Sequence, residues 1–315
     1  MLHGKTLAAV IPAYNEERQI ARVIETMPEC VDRIYVIDDA SRDQTVDVVK
    51  GCAERDARVV LICRPKNGGV GAATVTGYKQ VLADGLDVAV VMGGDAQMPP
   101  DDLPRIAGPV AEGRADYVKN NRLFTGNAWT IIPHHRYIGN SILSMLTKIV
   151  SGYWHVVDSQ AGYTAISREA LQLLDLDRLY PRYGFPNDVL VGLNVYDMKV
   201  MDVPTRPVYN VGERSGIRLR KVVPTISWLL FRRFFWRLKE KYIIRDFHPL
   251  VFFYFFGGML FFPGVIMGLW LLYHRIFTGR VEATSALFAV FMVVTGLQFL
   301  LFAMWFDMDH NKRLK

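Results

Sequence analysis

The stretch VAVVMGGDAQMPP, residues 88–100, ends an apolar, β-branched run with one carboxylate, Asp95, and one amide, Gln97, two residues apart. Carboxylate and amide oxygens suit a hard cation such as Mg²⁺ or Mn²⁺. Mg²⁺ keeps several waters and takes one or two protein carboxylates beside substrate phosphates. The pair is a poor cage alone and an adequate one if a diphosphate supplies the other oxygens. Gly93-Gly94 permit close approach to the backbone, and Pro99-Pro100 stop the strand. The competing reading is an Asx-type turn after a strand, with Gln97 solvated. For this segment taken alone, the turn is the stronger reading.

Other groups of the same kind recur: Asn15-Glu16, Asp38-Asp39, and Arg64 with Asn67. Something must gather them. The first half alternates strand and helix signals. LAAVIPAYN, RIYVIDDAS, RVVLICRP and DVAVVMGGD are predicted strands. Between them, EERQIARVIETMP has helical spacing, with Ile20, Val23, Ile24 and Met27 on one face. DQTVDVVKGCAERD opens at Asp43 and Thr45, and VGAATVTGYKQVLADG closes at Gly85. Alternation of this kind predicts βαβ units and a mainly parallel, Rossmann-like sheet. Ligands bind such sheets outside the carboxyl ends of the strands. All four polar groups fall there.

After Pro100 the pattern loosens. DDLPRIAGPVAEGRA and SREALQLL are predicted helices, DYVKNNRLF a strand, NSILSMLTKIVSG an amphipathic segment, DSQAGYTAI loop or strand and KVMDVPTRPVYN extended. Two charge-free runs follow, PLVFFYFFGGMLFFPGVIMGLWLLY and ALFAVFMVVTGLQFLLFAMWF. Each reaches the roughly 20 residues that cross a bilayer. Gly257, Gly258 and Pro263 fit a membrane span better than a soluble core helix. Residues 213–245 hold ten Lys/Arg against two acids, whereas the whole chain is only +6. Basicity just before the first span places it, and the domain before it, on the cytoplasmic side. Two Arg in the connecting loop oppose that orientation weakly. Trp228, Phe231, Phe235 and Leu238 at helical spacing, with Arg232, Arg233 and Arg237 among them, predict a helix in the membrane interface. MLHGKTLAAVIPAYNEE predicts a strand entering a loop and no secretory leader. Cys30, Cys52 and Cys63 lack CxxC spacing and are expected to be reduced. No GxGxxG follows the first strand, which disfavours a dinucleotide oxidoreductase. Apolar interleaving of the basic run favours lipid over nucleic acid.

In order, VIPAYNEE, VIDDASRDQT, RPKNGGVGAA, GGDAQMPPDDL and DSQAGYTAIS resemble family 2 glycosyltransferases of the GT-A fold. Within these the chain is similar to the polyprenyl-phosphate sugar transferases, the dolichol-phosphate mannose and glucose synthase group. The resemblance covers about residues 5–220. Its two C-terminal spans after juxtamembrane helices match the bacterial polyisoprenyl-phosphate enzymes. The organisation so implied is a GT-A domain at 1–220, interfacial helices at 221–248, spans at 249–273 and 285–306, and a cytoplasmic tail at 307–315.

The resemblance also implies roles. Pro12, Tyr14, Asn15, Glu16, Asp38, Asp39, Arg64 and Asn67 would border the nucleotide, and Asp95 and Gln97 would hold Mg²⁺ or Mn²⁺. The family often carries a further Asp two residues before Asp95, where this chain has Gly93. Arg122 and Arg136 would receive the acceptor phosphate, through the bidentate bonds that guanidinium favours. Asp158 and Gln160 would lie at the reacting centre, Asp158 as a base or as an orienting group. Asn187 and Asp188 would lie near the sugar, and Ser215 and Arg218 in a segment closing over the site. The implied reaction is inverting transfer from a nucleotide diphosphate sugar, UDP-glucose ahead of GDP-mannose, to polyprenyl phosphate. The resemblance allows a homo-oligomer. Two alternatives stay open: a processive polysaccharide synthase, although no QxxRW is present, and a non-catalytic nucleotide-binding membrane protein.

Overall fold

The computed structural model describes residues 1–123, 134–205 and 219–315. It forms two compact units, Met1–Phe234 with Arg313–Lys315, and Phe235–Lys312.

The first unit is built on a seven-stranded sheet. Its strands are β1 (Leu7–Ala13), β2 (Arg33–Asp38), β3 (Val59–Cys63), β4 (Val88–Val91), β5 (Tyr117–Asn121), β6 (Thr164–Ser167) and β7 (Val200–Pro204). Their order is β3-β2-β1-β4-β6-β5-β7. Only β6 runs antiparallel to its neighbours. The helices are α1 (Ile20–Glu25), α2 (Thr45–Arg55), α3 (Val70–Ala83), α4 (Leu103–Ala111), α5 (His134–Ser151), α6 (Arg168–Leu173) and α7 (Phe185–Val195). Helix α8 (Leu219–Lys239) contains the division between the units.

Period-two alternation assigns each strand residue to one of two cores. Leu7, Ala9 and Ile11 of β1 share a core with Ile20, Val23 and Ile24 of α1, Val49 of α2 and Ile106 of α4. Ala8 and Val10 share the other with Ala73 and Val81 of α3, Leu171 of α6 and Val189 of α7. Both faces are covered, which is why β1 and β4 read as continuous apolar runs. Helix α3 lies close enough to β1 that a Cβ on Gly77 would sit 2.3 Å from Val10 Cγ1. Register aligns the strand ends: Ala13 opposite Asp38, Asp38 opposite Cys63, and Asn121 opposite Pro204. One sheet edge therefore collects the chemistry-bearing residues.

The second unit pairs α9 (Leu250–Thr278) with α10 (Ala283–His310). Their seam is Leu250, Gly257, Gly264 and Leu271 against Ala289, Gly296 and Ala303, positions spaced by seven of which five are Gly or Ala. A Cβ on Gly296 would meet Phe261 N at 2.4 Å, so the backbones touch there. Only 17% of each apolar window is buried, which excludes the soluble-core reading and leaves two candidate membrane spans. Both helices outrun the charge-free segments that announced them. In this unit Arg237, Asp307, Lys241 and Asn311 are buried together. Arg237 grips Asp307 at 2.9 and 3.1 Å, and Tyr242 donates to the same carboxylate at 2.6 Å.

Candidate active site

At the ends of β1 and β2, Asn15 takes a left-handed φ of 58°. Asn is among the residues that tolerate it. Its N–H donates to Ser41 Oγ at 2.9 Å, and its Oδ1 accepts from Arg42 N at 2.9 Å. Asn15 thus ties the first two loops together. Asp38 accepts from Ser41 N in the turn that follows β2. Asp39 is buried, with both carboxylate oxygens engaged. It pairs with Arg64 and accepts from Gly68 N at 2.9 Å and Gly69 N at 2.7 Å. Asn67 Nδ2 donates to the Asp39 carbonyl at 3.2 Å. Gly69, at φ 96°, turns the chain into α3. Asp39 is therefore the anchor of the Asn67–Gly69 loop. Tyr14 is exposed at the end of β1, and Pro12, two residues before it within the strand, is partly covered.

The sheet brings Glu16 and Asp95 together across β1 and β4. Burial pushes Glu16 up to about 7, with the Asp95 and Asp43 carboxylates adding to it. Gln97 N donates to Asp95 Oδ1 at 3.2 Å, so the Asx turn weighed against a metal seat is present. Ala96 holds φ 57° between the two candidate ligands. A Cβ on Gly93 would lie 2.9 Å from Asp95 Oδ1. The space beside the missing first carboxylate is thus occupied by Asp95 itself. Among the described residues no group of three His, Cys, Asp or Glu could hold a metal. One carboxylate and one amide fit Mg²⁺ or Mn²⁺ only as co-ligands of a substrate diphosphate.

The ends of β5 and the approach to β6 carry the remaining groups. Asp158 is fully buried. It accepts from Arg122 Nε at 2.9 Å, Nη2 at 3.4 Å and backbone N at 3.3 Å, and from Gln160 N at 3.2 Å. The arginine expected to receive the acceptor phosphate and the carboxylate expected at the reacting centre are thus each other's partners. Gln160 Nε2 donates to Ser159 Oγ and Asn187 Oδ1, both at 2.7 Å. Thr147 of α5 donates to the same Asn187 oxygen at 3.1 Å. Asp188 points elsewhere, to Tyr180 N at 2.8 Å and Arg233 Nη2 at 2.8 Å. Arg136 lies on α5, but its side chain falls outside the described residues, as do Ser215 and Arg218 entirely.

Sequence reasoning passed over Lys119 and Asp202, which are close to this cluster. Lys119 is wholly buried in β5; burial lowers it to about 8, against the pull of Asp158 and Asp202. Asp202 is pushed up to about 6 by burial. A lysine inside a five-residue strand was the available signal.

The sheet order and polar carboxyl edge define a GT-A-like α/β domain. Residues 8–174 match the model of glycosyl transferase family 2, and the chain belongs to that family; it is a glycosyltransferase. It is 31% identical over 218 residues to the UDP-N-acetylglucosamine–dolichyl-phosphate N-acetylglucosaminyltransferase of Methanococcus voltae, covering 65% of this chain and 86% of that one. It is 30% identical over 231 residues to the undecaprenyl-phosphate mannosyltransferase of Micrococcus luteus, covering 71% and 94%. A similar solved structure is glucosyl-3-phosphoglycerate synthase from Mycobacterium tuberculosis in complex with Mn²⁺, UDP and glucosyl-3-phosphoglycerate. The TM-score is 0.53 at 21% identity, over 74% of this chain and 80% of that one. The resemblance and fold expected from the motifs are borne out.

Proposed function

We propose that the chain transfers a sugar from a nucleotide diphosphate sugar to the phosphate of a membrane polyprenol. The observation that carries this reading is the Arg122–Asp158 pair. It sets a guanidinium at the same carboxyl edge as the Asp95–Gln97 turn. A cation there suits an anionic acceptor. The relatives named for dolichyl and undecaprenyl phosphate support the same acceptor.

The nucleophile is an oxygen of the acceptor phosphate, anionic near neutral pH, so no residue need remove a proton. The oxygen attacks the anomeric carbon as the bond to the donor's β-phosphate oxygen breaks, and the electron pair leaves with the nucleoside diphosphate. The configuration inverts. The protein's task is placement and electrostatics. Arg122 would take the acceptor phosphate; Arg136, whose side chain lies outside the described residues, is kept as the second arginine for that role. Asp158, which accepts four hydrogen bonds, would orient Arg122 rather than act as a base. Gln160 and Asn187 would face the sugar. Tyr14, Glu16, Asp39, Arg64 and Asn67 would border the nucleotide. Asp95 and Gln97 would hold Mg²⁺ or Mn²⁺ with the diphosphate, and the cation would offset charge on the leaving group. The Mn²⁺ and UDP in the tuberculosis synthase are in keeping with this.

On this reading residues 1–220 form the catalytic domain, 221–248 lie at the interface, and the two apolar helices span the bilayer. Positive charge before the first span puts the domain in the cytoplasm. The donor is taken as UDP-glucose first, with UDP-N-acetylglucosamine and GDP-mannose as competitors. Detergent-purified chain would be offered each labelled donor with polyprenyl phosphate, and the product's anomeric configuration read by NMR. One glycolipid of inverted configuration is expected. A retained configuration, or nucleotide binding without product from any donor, would overturn the reading.

A further inference from the structure

Lys119 and Asp202 stand opposite each other in the parallel β5–β7 register. Neither belongs to a motif. Both are costly where they are, because a buried charge must be repaid by its partners. Their hydrogen bonds show where they act. Lys119 Nζ donates to the Ala161 carbonyl at 2.6 Å. Asp202 Oδ2 accepts from Val157 N at 2.6 Å and from Asn121 Nδ2 at 3.2 Å. Val157 and Ala161 are the two ends of the loop that carries Asp158 and Gln160. Between them, Ser159 N donates to Ser144 Oγ at 3.1 Å. Asp158 lies against Arg122. Each end of a five-residue loop is thus held by one member of an oppositely charged pair, a fully buried lysine and a partly buried aspartate.

We propose that Lys119 and Asp202 are positioning residues, clamping the two ends of the Val157–Ala161 loop so that the Arg122–Asp158 pair is set for transfer. This rests on the placement of that pair at the reacting centre. A hydrophobic pair would fill the same space, but it would leave Val157 N and the Ala161 carbonyl without these partners. Lys119 faces Asp158, Asp202 and Arg122, with the Tyr117 ring 5.8 Å from its nitrogen; Asp202 is also sensed by Lys148 of α5. Lys119 loses its charge as pH rises through about 8. The amine can still donate, but Asp202 then loses its lysine counter-charge and Asp158 keeps Arg122.

The test uses the full chain in detergent with Lys119→Met, Lys119→Arg and Asp202→Asn. Hydrogen exchange of the segment 157–161 and steady-state kinetics are read in parallel. Lys119→Met should speed exchange in the segment at least several-fold. It should also lower kcat by about 10- to 100-fold, the effect of a misplacement near 1 Å, with KM for the donor little changed. The wild-type rate should fall on the alkaline side with a midpoint near 8, and Lys119→Arg should remove that limb while retaining most turnover. Asp202→Asn should loosen the Val157 end alone. If a variant fails to fold, the remaining two carry the test. Unchanged exchange in every folded variant, or a loss expressed in KM alone, would overturn the clamp. Absence of transfer by the wild type would instead defeat the acceptor reading, and exchange would still decide the clamp.

Discussion

Arg122→Met separates what the Arg122–Asp158 pair does for folding from what it does for transfer. Asp158 has no exposed side-chain surface, whereas Arg122 is 25% exposed. Removing the guanidinium leaves Asp158 with two backbone donors, Arg122 N and Gln160 N. Breaking a buried pair costs about 3–5 kcal/mol. Because one side is open to water and Lys119 is near, the lower end applies, about 3 kcal/mol. For a domain of this size that is a fall in Tm of roughly 6–12 °C. Asp158→Asn leaves no buried anion and should cost less, about 1–2 kcal/mol. In the double variant both charges are gone. It should be more stable than the sum of the singles by about 1–2 kcal/mol. All three should lose transfer by roughly 100- to 1,000-fold, the scale for removing one electrostatic donor. Thermal unfolding by tryptophan fluorescence and initial rates on the same samples give both quantities. A double variant that regained activity along with stability would refute the catalytic role. An Arg122→Met variant as stable as wild type would refute the energetic one.

Asp95→Asn and chelation by EDTA should each reduce transfer at least about 100-fold with Tm little changed; turnover indifferent to both would remove the cation from the account. Gly77→Ala should destabilise the first unit by about 1–3 kcal/mol, since its Cβ meets Val10 at 2.3 Å; a wild-type Tm would contradict that packing. Asp202 is raised from 3.8 to about 6 in the folded state. Its contribution is present below about pH 4 and is lost as pH rises through about 6. The Tm of wild type should therefore fall relative to Asp202→Asn across that window, by the equivalent of about 3 kcal/mol, and a gap constant with pH would be the contrary result. Arg237→Met removes one side of a fully buried pair and should lower stability by about 3–5 kcal/mol. Exposed Arg232→Met should leave it within about 0.5 kcal/mol; equal effects would show that burial does not distinguish the two.

Periodicity exposed the parallel half of the sheet because each strand there lies in an apolar run and a helix follows it. The face formed by Ile20, Val23, Ile24 and Met27 is buried as its spacing required. The gathering of polar groups at one edge follows from parallel pairing alone. The antiparallel β6 was less visible, because four residues carry no period and its direction depends on which strands flank it. Lys119 and Asp202 face each other through a register that links residues 83 apart, which no local pattern encodes. Arg232, Arg233 and Arg237 looked alike on an interfacial helix. Arg233 instead reaches Asp188 and Arg237 reaches Asp307, 45 and 70 residues away. Asp39 was expected against the nucleoside, and the structure occupies its carboxylate with Arg64 and two loop amides. Its chemistry was legible; its partners were not, because they belong to another strand and the loop after it.

The central claim is that the nucleophile is a phosphate oxygen held by Arg122. The most direct measurement offers the purified full chain one labelled donor with either polyprenyl phosphate or the same polyprenol without its phosphate. The account predicts glycolipid from the phosphate alone, with loss of that product in Arg122→Met. Equal transfer to the neutral alcohol would contradict it, since a hydroxyl acceptor needs a base and Asp158 is already bound to Arg122.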